Sequence, residues 1–251
     1  MHIVGYVIVA IIIILIFCDI ILSPKREKLD VAVIVEPREH KHLVKVVNNI
    51  LEKVPKETKV QIFHGKLNEK FVKDNFGKHI KSGKIILTNL GIENMDIREY
   101  SYLLTNPAFW HKIHGENILI FQTDSCICNS KINLNEYLKY DYVGGPSNPN
   151  GESYWQNGGF SFRKKSAMLR VINNGDFSTD RHPEDVFYVI HNKDKIKIPP
   201  HNVAKKFSVE SQFYDKPYGV HKPWLWLGKD KLDKLKKNCP LISDIEQFRN
   251  V

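Results

Sequence analysis

The sequence predicts an α/β protein, a mainly parallel sheet flanked by helices and preceded by one N-terminal transmembrane helix. Three observations predict it. Short β-branched runs alternate with helical patterns through the first half of the chain. Hydrophobic residues make up 42% of the 251 positions, enough for a sizeable core and too many for a disordered chain. Residues 3–22 form a nearly unbroken apolar run.

That run, IVGYVIVAIIIILIFCDIIL, is interrupted only by Asp19. About twenty such residues span the hydrocarbon core of a bilayer. Met1-His2 is no basic start, and no small-residue cleavage site follows, so a retained anchor is expected rather than a cleaved signal. Lys25, Arg26 and Lys28 follow the run, and basic flanks stay cytoplasmic. The expectation is a single-pass protein with its domain in the cytoplasm; a domain in a secretory lumen is the alternative. Residues 1–24 would be the anchor and its flank, and 25–251 the domain, with a core over about 30–228 and a tail over 229–251.

Asp30–Val35 (DVAVIV) reads as a buried strand. Leu43, Val46, Val47, Ile50, Leu51 and Val54 then mark one face of a helix that stops at Pro55. KVQIFHG (59–65), KIILTNL (84–90) and NILIFQ (117–122) read as three further strands. In a parallel sheet of this kind ligands bind beyond the carboxyl ends of the strands, and Asp124 lies just past such an end. Residues 140–159, dense in Gly, Pro, Asn and Ser, are expected as a loop region. FSFRKKSAMLRVINN reads as a strand leading into a helix, and PEDVFYVIHN (183–192) as a helix starting after Pro183.

The formal net charge is +9, but the lysines are dispersed without a basic stripe, so no nucleic-acid partner is expected. A phosphorylated ligand or an anionic membrane face accounts equally well for the sign. The four cysteines suggest no disulfide framework, and the isolated C-x-C at Cys126 and Cys128 is a weak zinc signal, so reduced thiols are expected.

Four stretches could carry chemistry. Asp124 could hold Mg²⁺ or Mn²⁺, or simply cap a turn. QNGGFSFR (156–163) pairs Gly158 with Gly159, which lets backbone approach a ligand or merely turns. Glu184 and Asp185 open a helix, where acids favour the macrodipole, and either could accept a proton. YGVHKPWLW (218–226) offers His221 as metal ligand, Lys222 as phosphate partner and Trp224 as a wall.

A strand-end acid, a Gly-rich loop, an acid pair opening a helix and a C-terminal His come in an order similar to that of GT-A glycosyltransferases. More closely, VAVIVEPREH, QIFHG, NPAFWHKI, ILIFQTDS, YDYVGGP, NGGFSFRKKSAM, PEDVFY, FSVE and GVHKPW resemble the domain of unknown function 5672 family, a group classed with glycosyltransferases. These stretches cover most of the chain from Val31 to Trp224. The resemblance implies a GT-A-like fold and a nucleotide-sugar donor over the sheet's carboxyl edge. It implies a divalent cation, Mn²⁺ or Mg²⁺, on Asp124 and His221; the first acid of the D-x-D pair is replaced by Gln122. It implies Asp185 as catalytic base of an inverting transfer, with Glu184 orienting acceptor hydroxyls. Arg38 (from its position past the first strand), Lys222, Gly158, Gly159, Arg163 and Trp224 would then contact donor, diphosphate or acceptor. The acceptor would be a glycan, protein or lipid, with the membrane reached through residues 3–22. The alternative is a non-catalytic sugar-nucleotide or glycan-binding protein, Gln122 marking lost metal chemistry.

Overall fold

The β-branched runs form strands close to the expected positions: β1 (Val31–Val35), β2 (Lys59–His64), β3 (Ile85–Asn89) and β4 (Asn117–Phe121). The structure is a computed structural model and describes residues 27–147, 155–175, 177 and 180–246. These four strands run parallel, in spatial order β3-β2-β1-β4. Helices Leu43–Lys53 and Glu69–Lys81 fill the first two crossovers, and Ile97–Leu104 with Pro107–His111 the third. Successive strand residues point to opposite faces. Ala32, Ile34, Ile62, Leu119 and Phe121 therefore join one buried cluster, with Leu43, Val46, Val47 and Ile50 of the first helix. Val31, Val33, Phe63, Ile118 and Ile120 join the other, with Leu104, Trp110, Met168 and Val171. A strand covered on both faces has no polar alternation, which is why these runs are continuously apolar. Each fully buried side chain of this size contributes about 1.5–3 kcal/mol.

After β4 the chain forms a short strand outside the main sheet, β5 (Ser125–Ile127). It then returns as β6 (Tyr142–Ser147) and β7 (Trp155–Lys164). β7 lies antiparallel between β4 and β6, completing a six-stranded sheet in the order β3-β2-β1-β4-β7-β6. The loop expected over 140–159 is thus corrected at both ends, while residues 148–154 lie outside the described residues. Composition misled because a glycine here serves close backbone approach rather than a turn. A Cβ on Gly144 would sit 2.1 Å from the carbonyl oxygen of Asn157, so only glycine lets β6 and β7 pair at this irregular register.

The helix expected over 183–192 is one short turn, Glu184–Val186, continued by a π-helical turn over Phe187–His191. Such widened turns recur at functional sites. The expected tail is also corrected in part. Helices Lys229–Asn238 and Ile242–Ile245 send Leu232, Leu235, Ile242 and Ile245 into the first core cluster. Between them Cys239 forms a disulfide with Cys128 of the segment after β5, 111 positions earlier, with Cα atoms 4.7 Å apart. This overturns the expectation of reduced thiols for Cys128 and Cys239, while Cys126 is a free, buried thiol. Sequence spacing between Cys126 and Cys128 said nothing about Cys239, which the C-terminal helices carry back to β5.

The single-pass membrane placement is likewise corrected. Among the described residues no helix is long and apolar enough to cross a membrane. The run to which the span was assigned, 3–22, lies outside the described residues.

Candidate active site

The carboxyl end of β4 turns sharply. The Ser125 hydroxyl donates to the Gln122 carbonyl oxygen at 2.8 Å, and the Gln122 N–H donates to the Ser125 oxygen at 2.9 Å. The chain thereby leaves the main sheet and enters a second, three-stranded one in the order β5-β9-β8, where β8 is Ser208–Val209 and β9 is Gly219–His221. Its register builds the site. Ser125 pairs with His221, so Asp124 arrives beside the imidazole. Val209 pairs with Val220, so Glu210, the next residue, arrives on its other side. The Lys222 N–H donates to the Asp124 carbonyl oxygen at 2.9 Å and continues the ladder.

His221 is therefore held between two carboxylates. Asp124 Oδ1 lies 3.4 Å from Nε2, and Glu210 Oε1 lies 3.0 Å from Nδ1. Both ring nitrogens, Asp124 Oδ1 and Glu210 Oε2 are buried without a partner in hydrogen-bond geometry. Burial alone would raise the Asp124 carboxyl, but His221 and Lys222 outweigh it and hold it down at about 2. Burial would lower His221, and Asp124 with Glu210 outweigh that in turn, raising it to about 9. Asp124 Oδ1 and His221 Nε2 are buried at a spacing that fits adjacent ligands of one divalent cation, which would take the place of the imidazole's Nε2 proton. A carboxylate against the far ring nitrogen is the usual support of a metal-binding imidazole. The residues present thus fit the cation that the resemblance implies.

Two adjoining clefts open at this edge. The first, about 390 Å³, is bordered by Glu36, Arg38, Asp96, Tyr100, Gln122, Asp124 and Lys222. The second, about 240 Å³, is bordered by Trp155, Gly158, Gly159, Glu184, Asp185, Glu210, His221 and Trp226. Tyr100, Gln122 and Lys222 border both. Asp185 accepts the N–H of Gly158 at 3.1 Å and that of Val186 at 2.8 Å. Burial first, and the neighbouring Glu184 second, nevertheless raise its carboxyl to about 7. A carboxylate titrating there can accept a proton near neutral pH.

Arg38 reaches the first cleft while its guanidinium is tied to Glu36 by contacts of 2.8 and 3.0 Å. Lys222 has a left-handed backbone, φ 34°. Two expected contacts are corrected. Arg163 faces neither cleft. It is wholly buried, stacked 4.7 Å from Tyr142 and 5.7 Å from Tyr188, and it donates to Glu184 at 2.9 Å. A buried guanidinium needs such a partner, so Arg163 holds Glu184 rather than a phosphate. Trp224 is packed in the core, and Trp226 borders the second cleft instead. The paired glycines are also closely packed by the site itself. A Cβ on Gly158 would lie 2.2 Å from Glu184 Oε1, and one on Gly159 would lie 2.2 Å from His221 Nε2. Both positions border the second cleft, but what presses on them is the site's own side chains. Glu210, Tyr100 and Trp226 were not singled out from the sequence. Glu210 stood within FSVE, yet nothing in its spacing ties it to His221; only the β8–β9 register does.

The family described as "Protein of unknown function (DUF5672)" matches residues 87–221, more than half of the chain and all of the His221 sandwich. The chain belongs to the DUF5672 family. This DUF5672 chain matches no curated protein by sequence. It is similar in structure to the glycosyltransferase GlyE of Streptococcus pneumoniae TIGR4. The apo form matches with a TM-score of 0.50 and 8% identity, covering 80% of this chain and 55% of that one. A second GlyE structure matches with a TM-score of 0.50 and 9% identity, over 82% and 56%. The mannosyltransferase PcManGT of Pyrobaculum calidifontis, solved with GDP-Man and Mn²⁺, matches with a TM-score of 0.48 and 13% identity, over 70% and 56%. The DUF5672 chain thus spans a little over half the length of each. At these identities the likeness speaks to fold alone, and the fold is glycosyltransferase-like.

Proposed function

We propose that this chain transfers a sugar from a nucleoside diphosphate sugar to an acceptor hydroxyl, with inversion at the anomeric carbon. The observation that carries the reading is the convergence of Asp124, His221 and Glu210 at the carboxyl edge of the sheet, with Asp185 in the adjoining cleft. The first cleft is the donor side, where Lys222 supplies positive charge for a diphosphate and Arg38, paired with Glu36, lies where a nucleotide's base or ribose would sit. Asp124 and His221 would hold a divalent cation, Mn²⁺ or Mg²⁺. Such an ion, when bound, supplies a Lewis acid that offsets the charge gathering on a leaving diphosphate.

The chain's own groups do the rest. Glu210 fixes the orientation of His221 through Nδ1 and leaves Nε2 facing Asp124. Asp185 accepts the proton of the acceptor hydroxyl as that oxygen attacks the anomeric carbon. The Gly158 and Val186 N–H groups aim the Asp185 carboxylate. Glu184, neutralised by Arg163, orients the acceptor from the same cleft. Lys222 adds a second positive charge beside the diphosphate.

The test is donor turnover by the purified protein against a panel of nucleotide sugars, with and without Mn²⁺, for wild type, Asp185→Asn and Asp124→Ala. Loss of transfer with retained donor binding in Asp185→Asn supports the base. Equal rates in Asp185→Asn and wild type reject it. Gln122, at the place of a first acid, favours a second reading, a sugar-nucleotide-binding protein without turnover. Donor binding by the wild type with no transfer or hydrolysis under any metal condition would establish that reading instead.

A further inference from the structure

A cluster of three sulfurs lies at β5, the short strand that follows Asp124. Cys126 and Cys128 are two residues apart at β5 and so face the same way. Cys239 meets them from between the two C-terminal helices. The three Sγ atoms lie within 4.8 Å of one another, and Cys126 Sγ is 3.4 Å from Cys239 Sγ. All three cysteines are buried, Cys128 the least so, at 8% exposure. Among the described residues, no other group of three His, Cys, Asp or Glu side chains gathers its ligand atoms so closely.

A disulfide uses two of these sulfurs, and the third needs its own explanation. Thiolates bound to zinc at 2.3 Å in tetrahedral geometry stand about 3.8 Å apart. The Cys126–Cys239 separation is already close to that value, and opening the Cys128–Cys239 bond lets the third sulfur relax into the same range. Soft thiolate sets select Zn²⁺ and Cu⁺ over the hard cations that suit carboxylates. The Lys53 ammonium, 3.5 Å from the Cys128 carbonyl oxygen, offsets surplus negative charge.

We propose that Cys126, Cys128 and Cys239 form, when the Cys128–Cys239 bond is reduced, a three-thiolate site for a thiophilic metal ion, Zn²⁺ or Cu⁺. Disulfide and metal are mutually exclusive occupants of the cluster. A phosphine and one water convert the disulfide into two thiols and a phosphine oxide. Metal binding then releases the thiol protons to solvent as the metal–sulfur bonds form. Zinc takes an external fourth ligand there, as in other sites with three protein ligands.

The test titrates Co²⁺ into the full chain, made metal-free and reduced with a phosphine under anaerobic conditions. We expect saturation at one Co²⁺ with near-ultraviolet thiolate-to-metal charge transfer, absent from the oxidised protein. The band should disappear in Cys126→Ser and Cys239→Ser and persist in Asp124→Ala, since an oxygen and nitrogen site gives no thiolate band. Displacement by Zn²⁺ with restored colour on Zn²⁺ removal assigns the site to zinc. Displacement by Cu⁺ alone assigns it to copper. A reduced, folded protein with no charge-transfer band overturns the proposal. So does a band that survives Cys126→Ser, or a reduced protein that unfolds before it takes up Co²⁺. Turnover of nucleotide sugars plays no part in these readouts.

Discussion

Gly159→Ala probes the site without altering any of its functional groups. Gly159 has no left-handed backbone requirement, so alanine is acceptable to the chain itself. The obstacle is the neighbour. A Cβ there would lie 2.2 Å from His221 Nε2, 2.4 Å from Cε1 and 2.5 Å from Cδ2. Ordinary contacts between such atoms begin near 3.5 Å, so the ring must retreat by roughly 1 Å. It cannot do so freely, because Asp124 and Glu210 hold its two nitrogens at 3.4 and 3.0 Å. Overpacking of this kind costs about 1–3 kcal/mol, or about 2–4 °C of melting temperature per kcal/mol in a chain of this size. Displacement of a site group by about 1 Å can cost on the order of 100-fold in rate. The assay is a double-mutant cycle by chemical denaturation, with transfer measured alongside. In a His221→Ala background the space is empty, and Gly159→Ala should be nearly neutral, leaving a coupling of at least about 1 kcal/mol. Equal stability costs in the two backgrounds would refute the reasoning, as would wild-type stability and transfer in Gly159→Ala alone.

Other outcomes follow from the same geometry. The Asp185 carboxyl is raised to about 7, so it is protonated and unable to accept a proton below that pH; transfer should rise with pH through neutrality. A rate profile flat between about pH 5.5 and 8 would remove Asp185 as base. Arg163→Met strands Glu184 as a buried, unpaired charge and should cost about 3–5 kcal/mol in urea unfolding, much of it regained with Glu184→Gln; a cost under about 1 kcal/mol would contradict the pairing. Lys222→Gly relieves a left-handed backbone worth about 1–2 kcal/mol but frees the unfolded chain by about 0.4–1 kcal/mol, so stability should hold or rise by up to about 1.5 kcal/mol. Nucleotide-sugar binding by calorimetry should meanwhile weaken about 10-fold or more, the loss of one charge-assisted contact; unchanged affinity would take Lys222 out of the donor cleft.

How much of this was legible beforehand differs by element. β1 to β4 and the first helix were readable because burial on both faces leaves an uninterrupted apolar signal, and a helix stripe repeats every 3.6 residues. β6 and the start of β7 were not, because glycines that permit close strand approach have the composition of a turn. The two C-terminal helices looked like a tail since a few leucines and isoleucines among lysines do not announce what they pack against. Asp124, Glu184, Asp185, His221 and Lys222 could be named as chemical types in a suggestive order. Their roles toward one another could not.

The linear chain by itself determined the alternation of strands and helices, the strand end that carries Asp124, and the membership of a family. Those are local properties, written in hydrophobic period and short motifs. Only the tertiary structure decided that Glu210 faces His221, that Arg163 serves Glu184, that Trp226 rather than Trp224 meets the cleft, and that Cys128 bonds Cys239. The physical reason is register. A side chain's partner in a sheet is set by which strand lies alongside and at which residue the pairing starts. In the small β5-β9-β8 sheet the β5–β9 pairing sets Ser125 against the distant His221, and the β8–β9 pairing brings Glu210 to the same imidazole.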